Sequence, residues 1–396
     1  MDENRASTTI LPMRTRLLIL VWMAAAVAVL PAIFRWQPPA PATGFALQLR
    51  LGAGYFLALA LCYSLYRREA RRLSRSQAFS VAFLAGLLTT ILNYLHHLMV
   101  DYGPDYFAET SNADWQAQLQ RDIMRFLPDV APHAARFLPN AIVRWLELGG
   151  MDFEAARDLY RLIFVLLLFY AIYRYARLYT THQGALAAML LVAVVYPVTF
   201  HYYAGQLTDP LSHLSFVLAF LFLEKEDFPF LFATILIGSL AKETVLALTG
   251  YYILFCRKDR RYPLKAGALA AGSSAAYFGV RLYVLGGTMH YSDISGVTLA
   301  HVADNWQTDT WKVPFLLTAL SLVPFLAVGW RTTPRALKRM ALFLLPVLFF
   351  SSLFFSWLDE SRDYMPAVFV LAVIAARTLA GETADGPLSG TLNERG

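Results

Sequence analysis

The chain reads as an all-α, polytopic integral membrane protein, and three observations carry that reading. Of its 396 residues, 57% are hydrophobic, 14% aromatic and only 16% charged, whereas an ordinary soluble domain is about 25% charged. Apolar runs of roughly 15–22 residues recur along the chain, near the length that crosses about 30 Å of hydrocarbon. The basic residues fall in alternate short connections. Arg67, Arg68, Arg71, Arg72 and Arg75 follow one apolar run, and Arg174 and Arg177 follow another. Arg257, Lys258, Arg260, Arg261 and Lys265 form a third cluster, and Arg331, Arg335, Lys338 and Arg339 a fourth. That distribution is a topology signal, cytoplasmic loops being enriched in Lys and Arg. It accounts for the net charge of +6 without nucleic acid as a partner.

In order, spans are expected near 17–34, 47–66, 78–99, 158–176, 184–199, 210–223, 229–240, 244–256, 265–285, 313–329, 340–357 and 365–379, about 11–12 in all, with both termini cytoplasmic. Arg14 and Arg16 precede the first run without a small-residue cleavage pattern, so it reads as a retained span. The segments 229–240 and 244–256 are each short for a full crossing and form a shallow pair meeting at Ala241-Lys242-Glu243-Thr244. Three units follow: an N-terminal membrane segment (1–77), a core (78–380) and a disordered cytoplasmic tail (381–396).

The stretch 100–157 lies outside under this topology. Trp115, Leu119, Ile123 and Phe126 share one helical face, and Leu138, Ile142, Trp145 and Leu148 another. Such helices either lie in the membrane interface or pack on the spans beneath. A second outer loop, 286–312, carries His290, Tyr291, Asp293, Asp304 and Asp309. The only cysteines, Cys62 and Cys256, precede basic clusters on the cytoplasmic side. A disulfide is disfavoured there, and no zinc-ligand spacing occurs. No cofactor is expected; a divalent metal has no support in the spacing.

Ionisable residues at the outer ends of the spans are the candidates for chemistry, because charge at a bilayer edge is costly to keep. Asp101 and Asp105 close the third span in HHLMVDYGPDYF, where Asn93, His97 and Asp101 form a stripe at i, i+4, i+8. Either carboxylate would serve as a general base, and equally either can mark a solvated helix end. Asp209 before Pro210 is a standard helix start, with Asp209 at the N-cap, yet His213 shares its face and Tyr202 and Tyr203 crowd the same rim. Lys242 and Glu243 interrupt an apolar stretch, and as sequence neighbours they need not pair with each other. Lys242 can bind phosphate as a point charge or snorkel to water. Glu360, Arg362 and Tyr364 lie in a charge-dense outer turn, where Arg362 can clamp a phosphate bidentately. Arg281, inside an apolar run, is a further cation or a snorkelling one. No GxGxxG, Walker, HExxH, GxSxG or EF-hand spacing is present.

Four passages in order resemble the GT-C superfamily of polytopic membrane glycosyltransferases: VDYGPDY, RFLPNAIVRWLELGG with the span after it, YYAGQLTDPLSHL followed by LIGSLAKETVLAL, and DESRDYMPAVF. Two spans precede the family-like core, Asp363 is inserted before Tyr364 in the last passage, and no large soluble domain follows. The resemblance implies transfer of a sugar from a polyprenyl-phosphate donor to a lipid, glycan or protein acceptor on the periplasmic side of a bacterial inner membrane. Asp101 or Asp105 would be the base and the anomeric centre would be inverted. Lys242, Arg362 and Arg281 would bind the donor phosphate. Asp209, His213, Glu243, Glu360, Tyr364 and Tyr203 would contact sugar or acceptor. Tyr202 and Trp357 join the aromatic rim. A transporter or flippase of lipid-linked saccharide, and a surface-polysaccharide polymerase or ligase, are the alternative readings.

Overall fold

The computed structural model describes residues 112–125, 135–196, 207–257, 260–284, 298–307, 322–323, 325–356, 358 and 360–382. The expected spans near 17–34, 47–66 and 78–99, and with them Asp101 and Asp105, lie outside the described residues, as do Tyr202, Tyr203 and Trp357. The described residues are all-helical, with no strand among them.

The helices are α1 (Asn112–Met124), α2 (Phe137–Leu148), α3 (Phe153–Ala176), α4 (His182–Val195), α5 (Thr208–Glu224) and α6 (Phe228–Ser239). After them come α7 (Ala247–Phe255), α8 (Tyr262–Val284), α9 (Leu299–Gln307), α10 (Arg335–Phe355) and α11 (Met365–Leu379). Short 3₁₀ turns, Glu243–Leu246 and Ser361–Tyr364, precede α7 and α11. The helix bounds follow the hydropathy pattern closely, and local chemistry sets several ends. Asp152 caps α3 by accepting from the Ala155 amide at 2.8 Å, satisfying one of the free first-turn donors. Thr181 caps α4 through the Gly184 amide. Gly150, at φ +100° between α2 and α3, takes a conformation open chiefly to glycine. Pro229 and Pro366 start α6 and α11, where a missing N–H costs nothing.

Alternating direction makes an up-and-down bundle. α3 packs on α4 and α5, α5 on α6, and α11 on α4 and α10. The centre is α11, in which every residue from Met365 to Arg377 is buried, as expected of a helix apolar on all sides. Around it gather Phe169, Tyr175, Met189, Phe216, Phe220 and Leu344. α5 and α6 approach closely because residue 238 is glycine: a Cβ there would lie 2.6 Å from the Ser215 Cβ. α8 is peripheral, with Leu264, Phe278, Leu282 and Tyr283 exposed. Only α10 among the described residues is by itself long and apolar enough to cross a membrane. α4, α6 and the Glu243–Phe255 segment are shorter apolar helices.

Strand-free alternation fixes which residues share an end. Arg174 and Arg177, Arg257, Arg260, Arg261 and Lys265, Arg331, Arg335, Lys338 and Arg339 all stand where α3, α7 and α11 finish and α4, α8 and α10 begin. Here Arg377 donates to the Tyr179 carbonyl and pairs with Glu382 at 3.4 Å. Glu382 in turn accepts from Thr180 Oγ1 and the Thr181 amide at 2.6 and 2.8 Å. The starts of α3, α5 and α11 and the ends of α4, α6, α8 and α10 form the opposite end, where the candidate site lies.

A buried charge cluster as candidate functional site

Lys242 is the hub. Its backbone is extended (φ −158°, ψ 130°) between α6 and the 3₁₀ turn, so the helix breaks there and the side chain leaves sideways. The ammonium donates to Asp209 Oδ1 at 3.2 Å, from the first turn of α5, and to Asp363 Oδ1, from the turn before α11. Arg362 closes the arrangement, its Nη2 lying 2.7 Å from Glu360 Oε1 and its Nη1 3.7 Å from Asp209 Oδ2. Ser356, at the end of α10, donates to Glu360 Oε2 at 2.7 Å. Lys242, Asp209 and Arg362 are at most 4% exposed; ions this buried are retained almost only in pairs.

Glu243 turns the other way, as neighbours on a tight turn do. It receives Arg136, just before α2, through two bonds of 2.8 and 3.2 Å, the fork geometry that strengthens arginine–carboxylate pairs. The Leu138 amide donates to the Leu240 carbonyl at 3.1 Å alongside. The segment before α3 is thereby tied to the α6–α7 turn.

His213, one turn into α5, does not bond to Asp209 as their shared face would allow. Its Nδ1 meets the Tyr196 hydroxyl at 2.9 Å and its Nε2 the Arg362 carbonyl at 3.0 Å. It therefore bridges the end of α4 to the turn carrying Arg362. Asp209 is not the N-cap that its position before Pro210 predicts. α5 begins two residues earlier, at Thr208, without a side-chain cap bond, and the carboxylate serves Lys242 and Arg362 instead. Arg281 does not snorkel. It is buried, stacked 3.6 Å from the Tyr277 ring centroid and bonded to the Tyr277 carbonyl. Tyr364 is buried beneath the cluster.

Three participants escaped the sequence reading. Arg136 resembles any basic residue in a polar loop, and nothing in the sequence links it to Glu243. Asp363 is a direct partner of Lys242. Asn305, in α9, is fully buried and donates from Nδ2 to the carbonyls of Ser352, Leu353 and Ser356 at 2.9–3.1 Å, while accepting from the Leu358 amide at 2.7 Å. It thus satisfies the open carbonyls that end α10. His301 Nε2 adds a contact to the Ser356 carbonyl at 3.0 Å. α9 is therefore a clamp on the loop that presents Glu360.

The electrostatics separate the two carboxylates that share Lys242. Burial alone would raise Asp209, but Lys242 and Arg362 outweigh it and hold the carboxyl down at about 2. For Asp363 burial prevails over Lys242, aided by repulsion from Glu360, and its pKa rises. Glu243 is likewise opposed by burial, yet Arg136 brings it down to about 2. Burial works against the Lys242 ammonium, and Asp363 and Asp209 nevertheless keep it charged. A pair of carboxylates pushed apart in this way is the arrangement in which one stays ionised and the other can carry a proton.

Among the described residues, no group of three His, Cys, Asp or Glu side chains is placed to hold a metal ion. Of the residues the sequence points to, the structure brings together Asp209, His213, Lys242, Glu243, Glu360 and Arg362, with Tyr364 beneath them and Arg281 near enough for its charge to act on Glu243. No protein-family model, no curated protein and no solved structure matches the chain.

Proposed function

We propose that the chain is a polytopic membrane glycosyltransferase of GT-C type, taking a sugar from a polyprenyl-phosphate donor on the extracytoplasmic side. The observation that carries this reading is the convergence of Asp209, Lys242, Glu243, Glu360 and Arg362 at one end of a helical bundle whose basic clusters gather at the other. Positive residues mark the cytoplasmic end of a membrane bundle, so the cluster faces outward. The lateral surface fits a lipid setting: Leu264, Phe278, Leu282, Leu342 and Phe350 are exposed on α8 and α10, and large apolar side chains left uncovered suit a membrane or partner contact. On α2, Trp145 and Leu148 are 64% and 69% exposed while Pro139, Ala141 and Val143 pack inward. Leu138 and Ile142 of the same face pack on the helices beneath, and the free Trp145–Leu148 end supports contact with lipid headgroups there.

In this reading Asp101 or Asp105 removes the acceptor hydroxyl proton and the leaving phosphate needs little acid help. Lys242, Arg362 and Arg281 supply the positive field in which charge builds on that phosphate. Asp209 and Glu360 orient hydroxyl groups, and His213 holds the Arg362 turn in register. Direct displacement inverts the anomeric centre. The test is sugar transfer from a polyprenyl-phosphate-linked donor in proteoliposomes containing the full chain. Full turnover by both Asp101→Ala and Asp105→Ala removes the assigned base. Vectorial movement of the donor without a covalent product replaces the transferase by a flippase, and a polymeric product replaces it by a polymerase.

A further inference from the structure

Each cation around the cluster has a visible counterpart except one. Lys242 has Asp209 and Asp363, Arg362 has Glu360 and Asp209, Arg136 has Glu243, and Arg281 has the Tyr277 ring. Arg157, in the second turn of α3, is paired with Asp158 at 3.1 Å. Arg161, one turn further along the same face, is 3% exposed, and its Nε and Nη2 have no hydrogen-bond partner among the described residues. No carboxylate stands within ion-pair distance of it among them either. The groups that act on it are Arg157, which repels it, Asp158, which is paired with Arg157, Asp209, which is already committed to Lys242 and Arg362, and Tyr160, whose hydroxyl donates to the Leu207 carbonyl at 2.7 Å.

A desolvated guanidinium with unmatched N–H groups is strongly unfavourable. An apolar side chain of similar length would fill the same volume without that cost. The location is also specific: Arg161 follows Tyr160, whose hydroxyl reaches the carbonyl just before α5, in the cluster half of α3, with Arg157 adding positive field on the same face. A planar fork of donors backed by a second arginine matches a phosphate oxygen pair.

The geometry points to Arg161 as a direct contact for a phosphate group, beside the salt-bridged Lys242–Arg362 cluster. The ligand is a phosphate monoester or diester, carried either by a lipid or by a soluble molecule. This deepens the proposed function by adding a further contact to the carrier phosphate, whose charge Lys242, Arg362 and Arg281 balance, but its test needs no sugar transfer and can succeed where transfer fails.

The experiment uses the full chain in phosphatidylcholine nanodiscs, titrated with farnesyl phosphate, farnesol and sodium phosphate, with the unfolding temperature read by tryptophan fluorescence. Farnesyl phosphate is expected to raise Tm and farnesol is not. Arg161→Met is expected to weaken farnesyl phosphate binding by roughly tenfold to a hundredfold, the scale of losing charge-assisted bonds. Without ligand, Arg161→Met should be at least as stable as the parent, because it removes an uncompensated ion. Inorganic phosphate matching farnesyl phosphate at equal concentration would assign the site to a soluble phosphate compound. An unliganded Arg161→Met of lower Tm, unchanged affinity in that variant, or equal stabilisation by farnesol overturns the assignment. If Arg161→Met does not fold, Arg161→Lys decides by the same titration, and unchanged farnesyl phosphate affinity then refutes it.

Discussion

Replacing Lys242 by methionine is the sharpest perturbation of the charge cluster. At 3.2 Å from Asp209, and with an effective dielectric of about 20, the gross Coulomb attraction is about 5 kcal/mol. Desolvation of both ions offsets much of that in the parent. In Lys242→Met the offset disappears with the lysine, but Asp209 and Asp363 remain buried and face each other, with Arg362 at 3.7 Å left to serve Asp209. Breaking a buried pair from one side costs about 3–5 kcal/mol, and that is the expected loss. Removing the charges together is different: the triple variant Asp209→Asn, Lys242→Met, Asp363→Asn should lie within about 1–2 kcal/mol of the parent, since buried ion networks exchange for neutral groups at little net cost. The assay is reversible denaturation in mixed micelles, comparing parent, single and triple variants. A single variant within about 1 kcal/mol of the parent, or a triple as unstable as the single, would show that these groups are solvated rather than mutually compensating.

Arg136→Gln and Glu243→Gln should each destabilise by about 2–4 kcal/mol and the double by clearly less than their sum, because the two share one bidentate contact; additive losses in the same assay would dissolve the pair. Stability should fall in acid between about pH 4.5 and 2. The Glu243 carboxyl is depressed in the folded state, so its contribution is complete above its unfolded pKa and is lost as pH drops through the folded one. A Glu243→Gln variant should lose that part of the acid transition in a Tm-against-pH series. Asp363 has the opposite sign: its raised pKa means that ionisation at neutral pH opposes folding, so Asp363→Asn should cost less than Asp209→Asn at pH 7. Asn305→Leu, which keeps bulk but uncaps α10, should cost about 2–4 kcal/mol for its lost bonds and the buried carbonyls left open, and hydrogen exchange should rise first at Leu358.

Much of the helical frame is legible from hydropathy. The expected spans 158–176, 210–223 and 365–379 coincide with the cores of α3, α5 and α11, and the short pair around Lys242 appears as α6 and α7. The divergence of Lys242 and Glu243 follows from helix geometry and holds. Partner identities were not legible, for a physical reason: Glu243 meets Arg136, 107 positions earlier, and Lys242 meets Asp363, 121 positions later. Nothing local in the chain encodes those encounters. Arg281 shows the complementary failure, because an arginine in an apolar run looks alike whether it reaches for water or lies on a tyrosine ring, and only the fold selects the ring. Asn305 had no signal at all, its amide being specified by three carbonyls about fifty residues away.

The clasp of Arg377, Glu382 and Thr180 fastens α11 to the threshold of α4. Because it stands among the basic residues, a fluorescent reporter appended beyond residue 382 should emerge in the same compartment as one inserted between α7 and α8. A reporter inserted between α10 and α11 should fall in the other. Such paired tagging would read the orientation of the bundle in the bilayer from intact cells, without purification or any knowledge of substrate.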